Sequence, residues 1–179
     1  MALPTLRRAF GLVNFDKAGL GELAEATCLK LDLNREARTL EVSASFSRSL
    51  TYPELCGLQT KIQQAYTLRK VELTPVYAAF EDGDVPCLID CAIKGDPICG
   101  AVLSDCGISR EDGKLILRLR APGAVFLEDA GTAREMERIL RMSYSAPLKV
   151  VLTSAPNSSS SVWINFWHRS FRSGSFFLL

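Results

Sequence analysis

Apolar positions recur two residues apart in residues 28–33, at Leu29, Leu31 and Leu33, and again in residues 39–46, at Leu40, Val42, Ala44 and Phe46. A period of two is that of a pleated strand. The intervening Asn34-Arg35-Glu36-Ala37-Arg38 is polar and short enough to reverse the chain, so the two segments predict an antiparallel hairpin. At Thr51-Tyr52-Pro53-Glu54 the pattern changes. A threonine hydroxyl that accepts an early backbone N–H, a proline in the first turn and a glutamate reaching back predict a capped helix start. Leu55, Leu58, Ile62 and Ala65 then step by three and four, which buries one helix face and leaves Gln59, Lys61 and Gln63 in water, with Tyr66 closing the helix. Residues 70–73 predict a further short strand, and Pro75 limits its use as a central one.

A similar order follows. Residues 84–103 read as helix in two pieces, broken at Gly95-Asp96-Pro97. A strand over 106–109, a turn at Glu111-Asp112-Gly113 and the alternation of Leu115, Leu117 and Leu119 predict a second hairpin. Residues 122–130 suit a short helix. Thr132-Ala133-Arg134-Glu135 repeats the capping-box spacing before a helix with Ala133, Met136, Leu140 and Tyr144 inward, and residues 148–152 form a last strand. The two halves thus share a hairpin, a helix ending in tyrosine and a lysine-bearing strand ending Leu-Thr, the mark of an internal duplication. The expected fold class is α+β: two tandem small modules, each a β-hairpin with helices and a further strand, on a plan like that of a K-homology domain. The expected boundaries are 1–78 and 79–155, followed by a tail over 156–179.

Composition narrows the function classes. With 47% hydrophobic residues the chain has material for a core, and 21 Lys and Arg against 20 Asp and Glu give a net charge of +1. That balance supplies no global attraction to nucleic acid or an anionic membrane. The six cysteines, Cys28, Cys56, Cys87, Cys91, Cys99 and Cys106, lie scattered in apolar stretches, and the N-terminus lacks the apolar run of a secretory signal, so reduced thiols and a cytoplasmic setting are expected. Cys87 and Cys91 could share a helix face, yet no Cys-x-x-Cys pair accompanies them and the single histidine, His168, lies in the tail, so no metal is expected. After Pro156 a serine run leads into WINFWHRSFRSGSFFLL, aromatic, basic and free of acids. Interrupted by Asn165, His168, Arg169 and Arg172, it is too short and polar to span a membrane. It reads as a disordered or non-native extension rather than an interfacial helix.

Catalytic signatures are absent from the sequence. There is no phosphate-binding loop ending in Gly-Lys-Ser/Thr and no Gly-x-Ser-x-Gly elbow, and a single tail histidine does not build a nucleophilic triad. The acidic runs Glu81-Asp82-Gly83-Asp84 and Glu111-Asp112 fall at turns and read as solvated. No catalytic residue, cofactor or small-molecule substrate is therefore expected. One feature stands out as a candidate interaction surface: Arg134, Arg138 and Arg141, spaced four and three apart on one face of the last helix. A solvated face moderated by Glu135 and Glu137 is the simpler reading. A Gly-x-x-Gly loop of the kind that clamps nucleic acid in K-homology domains is not supplied by Asp129-Ala130-Gly131-Thr132.

The stretch CLKLDLNREARTLEVSASFSRSLTYPELCGLQTKIQQAY through VELTPVY resembles the first N-terminal domain of the bacterial PolC-type DNA polymerase III alpha subunit. The stretch GAVLSDCGISREDGKLILRLRAPGAVFLEDAGTAREMERIL with LKVVL is similar to the second. The resemblance covers residues 26–153 and rests on turns and apolar patterns. It implies a non-catalytic piece of a DNA-directed DNA polymerase (a nucleotidyltransferase), acting in DNA replication through contact with another replisome protein such as the clamp loader. The polymerase's catalytic aspartates have no counterpart here. The rival expectation is a single-stranded nucleic-acid-binding module using Arg134, Arg138, Arg141 and Lys149.

Overall fold

Two three-stranded sheets on one plan form the frame. The computed structural model describes residues 3–120 and 123–154, so the expectations for 156–179 lie outside the described residues. The chain opens with a single helical turn, α1 (Leu6–Ala9), and reaches the hairpin of β1 (Thr27–Asn34) and β2 (Thr39–Ser45). Helix α2 (Tyr52–Ala65) crosses back over one face and delivers β3 (Lys70–Val76) parallel to β2, in the order β1-β2-β3. Helices α3 (Val85–Ile93) and α4 (Pro97–Leu103) precede the second hairpin, β4 (Gly107–Glu111) and β5 (Lys114–Leu119). Helices α5 (Ala124–Asp129) and α6 (Thr132–Tyr144) then return the chain to β6 (Lys149–Ser154), parallel to β5, in the order β4-β5-β6. The duplicated order seen in the sequence is thus a duplicated topology: antiparallel hairpin, helical crossover, parallel third strand. The fold is α+β.

Local chemistry explains the boundaries. Thr51 Oγ1 accepts the Glu54 N–H at 3.4 Å while Glu54 Oε2 accepts the Thr51 N–H at 2.9 Å, a reciprocal cap that starts α2. At the break between α3 and α4, Lys94 closes the first helix in the left-handed region (φ 52°). Asp96 opens the second by accepting the N–H groups of Ile98 (2.8 Å) and Cys99 (3.0 Å). Asp112 (φ 45°) and Gly113 (φ 75°) both take positive φ, the tight turn whose twist suits an antiparallel hairpin. Pro75 is accommodated inside β3 because β3 is an edge strand and need not donate on both sides.

Each sheet is covered by its helices. The first core joins Leu6, Phe10 and Phe15 of the N-terminal segment, Leu40 and Val42 of β2, Leu58 and Ile62 of α2, and Val71 and Leu73 of β3. The second joins Leu88 of α3, Leu103 of α4, Leu115, Leu117 and Leu119 of β5, Leu127 of α5, and Met136 and Leu140 of α6. Tyr77 packs against both.

Two expectations need correction. Thr132 does not cap α6: Gly131, in the left-handed region (φ 67°), takes the cap position with no side-chain bond. Thr132 instead becomes the first helical residue and is buried. The expected alternation of Leu29, Leu31 and Leu33 is broken by a bulge that leaves Leu29 without a partner in β2, and the three remain 42%, 46% and 49% exposed, because β1 is the edge strand and the helical layer lies over β2 and β3.

Candidate functional site

A densely bonded polar cluster lies where the two modules meet. Residues 49–52, the loop entering α2, are fastened to the second module at four points. Ser49 Oγ lies 2.5 Å from Asp84 Oδ1 and 2.7 Å from the Tyr144 hydroxyl. A carboxylate only accepts, so the single serine proton goes to Asp84 and Tyr144 donates to Ser49. The Tyr52 N–H donates to Asp90 Oδ2 at 2.7 Å, and the Cys91 thiol donates to the Leu50 carbonyl at 3.4 Å. Tyr77 completes the junction: its hydroxyl accepts the Leu50 N–H at 3.0 Å and its own N–H donates to the Ser143 carbonyl at 2.8 Å.

Three aromatic rings seal this cluster. The Tyr77 and Tyr144 centroids are 4.6 Å apart, and Phe80 meets Tyr144 edge-on at 5.1 Å. Burial pushes the Tyr144 hydroxyl up to about 12, so it stays a donor throughout the physiological range. Asp84, read from sequence as a solvated turn residue, is instead half-buried and spans the modules. No spacing signal marks it, since Ser49 and Tyr144 lie far from it along the chain.

The arginine stripe is present, and its central member is paired. Arg134, Arg138 and Arg141 are all exposed on α6, while Met136 and Leu140 face the core. Arg138 grips Glu135 through Nε at 2.8 Å and Nη2 at 2.9 Å, and Lys94 approaches the same carboxylate at 3.5 Å. The Arg138 bond and the neighbouring Lys94 hold Glu135 below the usual carboxylate range. Arg134 lines a shallow cleft of about 460 Å³ with Lys94, Asp96, Thr132 and Glu135. Lys149 sits on the second sheet, opposite Lys114, away from that cleft. The structure therefore gathers Arg134 and Arg138 beside Lys94 among two carboxylates, and leaves Lys149 apart.

A larger cleft of about 550 Å³ runs between β3 and α6. Cys56, Cys87 and Cys91 line it together with Tyr52, Lys70, Glu72, Arg138 and Met142. Burial raises the Cys87 thiol, and burial reinforced by Asp90 raises Cys91 to about 12, so neither is a thiolate at neutral pH. Among the described residues no group of three or more His, Cys, Asp or Glu side chains is placed to hold a metal ion, and no helix is long and apolar enough to cross a membrane. No protein family matches the chain, and no curated protein matches it at a significant level.

Proposed function

We propose that this chain is a non-catalytic N-terminal region of a PolC-type replicative DNA polymerase, two modules that serve together as a docking unit for another replisome protein, the clamp loader being the leading partner. The residues that resemble the two N-terminal domains of that polymerase carry the assignment of family. The single structural observation favouring protein docking over strand binding is the pairing of Arg138 with Glu135, beside Lys94. A phosphate-tracking surface needs unpaired cations in line, and this stripe spends its central arginine on a carboxylate of its own helix. The fastening of residues 49–52 to Asp84, Asp90, Cys91 and Tyr144 supports a docking unit that presents both modules in one fixed arrangement.

The test is titration calorimetry of the purified chain with each clamp-loader subunit from a bacterium that uses a PolC-type polymerase. Saturable binding of one subunit is the expected result. No heat with any subunit at ~100 μM, far above the concentration at which a standard-size interface saturates, would overturn the assignment of partner.

A further inference from the structure

The outer edge of β1 is open over only part of its length. The Cys28 N–H donates to the Pro4 carbonyl at 2.8 Å, the Leu6 N–H donates to the Ala26 carbonyl at 2.9 Å, and Thr5 bridges Thr27, so the N-terminal segment covers that edge up to Cys28. A bulge between Cys28 and Lys30 then shifts the register, and among the described residues no strand lies on the outer side of residues 29–34. This open run carries the half-exposed Leu31 and Leu33, paired with Val42 and Leu40 of β2, and the half-exposed Leu29 at the bulge. Lys30 and Asp32 share the face opposite Leu31 and Leu33, 3.7 Å apart and 63% exposed each. The equivalent edge strand of the second module is different: β4 exposes one large apolar side chain, Ile108, and its Arg110 is held over the Phe80 ring at 5.2 Å.

We propose that the open edge of β1 pairs with the same edge of a second copy of this chain, antiparallel and centred on Leu31. The sequence Leu29-Lys30-Leu31-Asp32-Leu33 is self-complementary under a two-fold axis through its middle residue. Antiparallel pairing sets Leu31 opposite Leu31, Leu29 opposite Leu33, and Lys30 opposite Asp32 of the second copy, twice per dimer. Leu31 then meets Leu31, Leu29 meets Leu33, and each charge meets its opposite. Centring on Lys30 or Asp32 puts like charges together, and centring on Leu29 or Leu33 leaves Lys30 and Asp32 with no opposite charge facing them within the strand. The charge pattern selects the partner: an edge strand with unpaired backbone groups is a general template, and Lys30 with Asp32 makes it a template for itself. Five residues per copy bury less than the ~1,600 Å² of a standard interface, so the dimer is weak and depends on concentration. The pairing uses only β1 and does not rest on the polymerase reading.

Sedimentation velocity on the full chain from ~5 to ~500 μM tests it, since weak strand-edge dimers populate in that window. The wild type shifts from monomer to dimer, and Leu31→Glu, which sets two carboxylates on the axis, stays monomeric with an unchanged circular dichroism spectrum. Lys30→Asp and Asp32→Lys each weaken dimerisation about tenfold or more, because each sets like charges opposite one another twice. Mixing those two variants restores it, since the acidic edge of one then faces the basic edge of the other. A wild type that is monomeric throughout, or a dimer indifferent to these three changes, or a mixture no tighter than its components, overturns the proposal.

Discussion

The Tyr144 hydroxyl donates to Ser49 Oγ across the module junction at 2.7 Å, and that bond obliges the serine to give its only proton to Asp84. The chain Tyr144–Ser49–Asp84 is a directed relay of hydrogen bonds ending on a carboxylate. Its members belong to α6, to the loop entering α2 and to the turn before α3, so it works as a rivet between modules.

Removing either end of the rivet should register. Tyr144→Phe keeps the stacked ring and deletes the donor, a loss of about 1 kcal/mol, whereas Ser49→Ala strands both Tyr144 and Asp84 and costs about 1–3 kcal/mol. Thermal unfolding of the two single variants and the double measures this. The double variant should be less destabilised than the sum, because the bonds share one serine. Strict additivity would mean that the residues do not act together.

Glu54 gives the fold an acid-side pH dependence. The Arg48 guanidinium, the Thr51 N–H and the Thr51 hydroxyl hold its carboxyl at about 2 against an ordinary 4.5, so the ionised form favours the folded state. Its contribution is complete above about pH 4.5 and is lost as the pH falls from there toward 2. With solvent screening of this partly exposed pair it amounts to about 1–2 kcal/mol. Glu54→Gln should lower stability at pH 7 and flatten the profile between pH 5 and 2 by roughly that amount in urea unfolding. An unchanged slope would show that Glu54 does not anchor the start of α2.

Much of this architecture is legible in the chain because it is written in short-range chemistry. Asp112-Gly113 specifies a turn with two positive φ values, Thr51 and Glu54 specify a reciprocal cap, and Gly95-Asp96-Pro97 both ends one helix and starts the next. The N-terminal segment is not legible: Leu6, Phe10 and Phe15 reach the core from one four-residue turn and irregular chain, which carry no period. Exposure of Leu29, Leu31 and Leu33 is equally hidden, since alternation reveals a face but not whether a helix covers it. Asp84 meets Ser49 over 35 residues and Ser49 meets Tyr144 over 95, separations at which only the fold makes neighbours.

The thiols around the inter-module cleft should differ from free cysteine. Cys91, half-buried and raised to about 12, donates to the Leu50 carbonyl and is protonated at pH 7.5. Brief iodoacetamide treatment of native protein followed by peptide mass spectrometry should leave Cys91 unmodified, and the same treatment in ~6 M urea should label it at the rate of an unperturbed thiol. Rapid native labelling would place Cys91 outside the junction.

The two cores should fail separately. Leu58 in α2 and Leu117 in β5 are both fully buried, and truncating either to alanine should cost ~2 to 5 kcal/mol. Hydrogen exchange should accelerate mainly over residues 28–73 for Leu58→Ala and over 106–152 for Leu117→Ala, since each sheet has its own hydrophobic cluster. Uniform acceleration in both would mean that the rivet merges the modules into one cooperative unit.

The salt dependence of binding tests the functional account most directly, because protein docking and phosphate binding respond to ions in opposite degree. The affinity of the full chain for a clamp-loader subunit and for a single-stranded oligothymidylate is measured side by side at ~50 and ~200 mM salt, a range over which phosphate-tracking proteins lose about 10³-fold or more. The account predicts a saturable complex with the clamp-loader subunit whose affinity changes less than about threefold, as for an interface with an apolar centre, and no measurable oligonucleotide complex at ~200 mM. Tight oligonucleotide binding that collapses with salt, with no clamp-loader complex at either concentration, would contradict it and assign Arg134, Arg138 and Arg141 to nucleic acid.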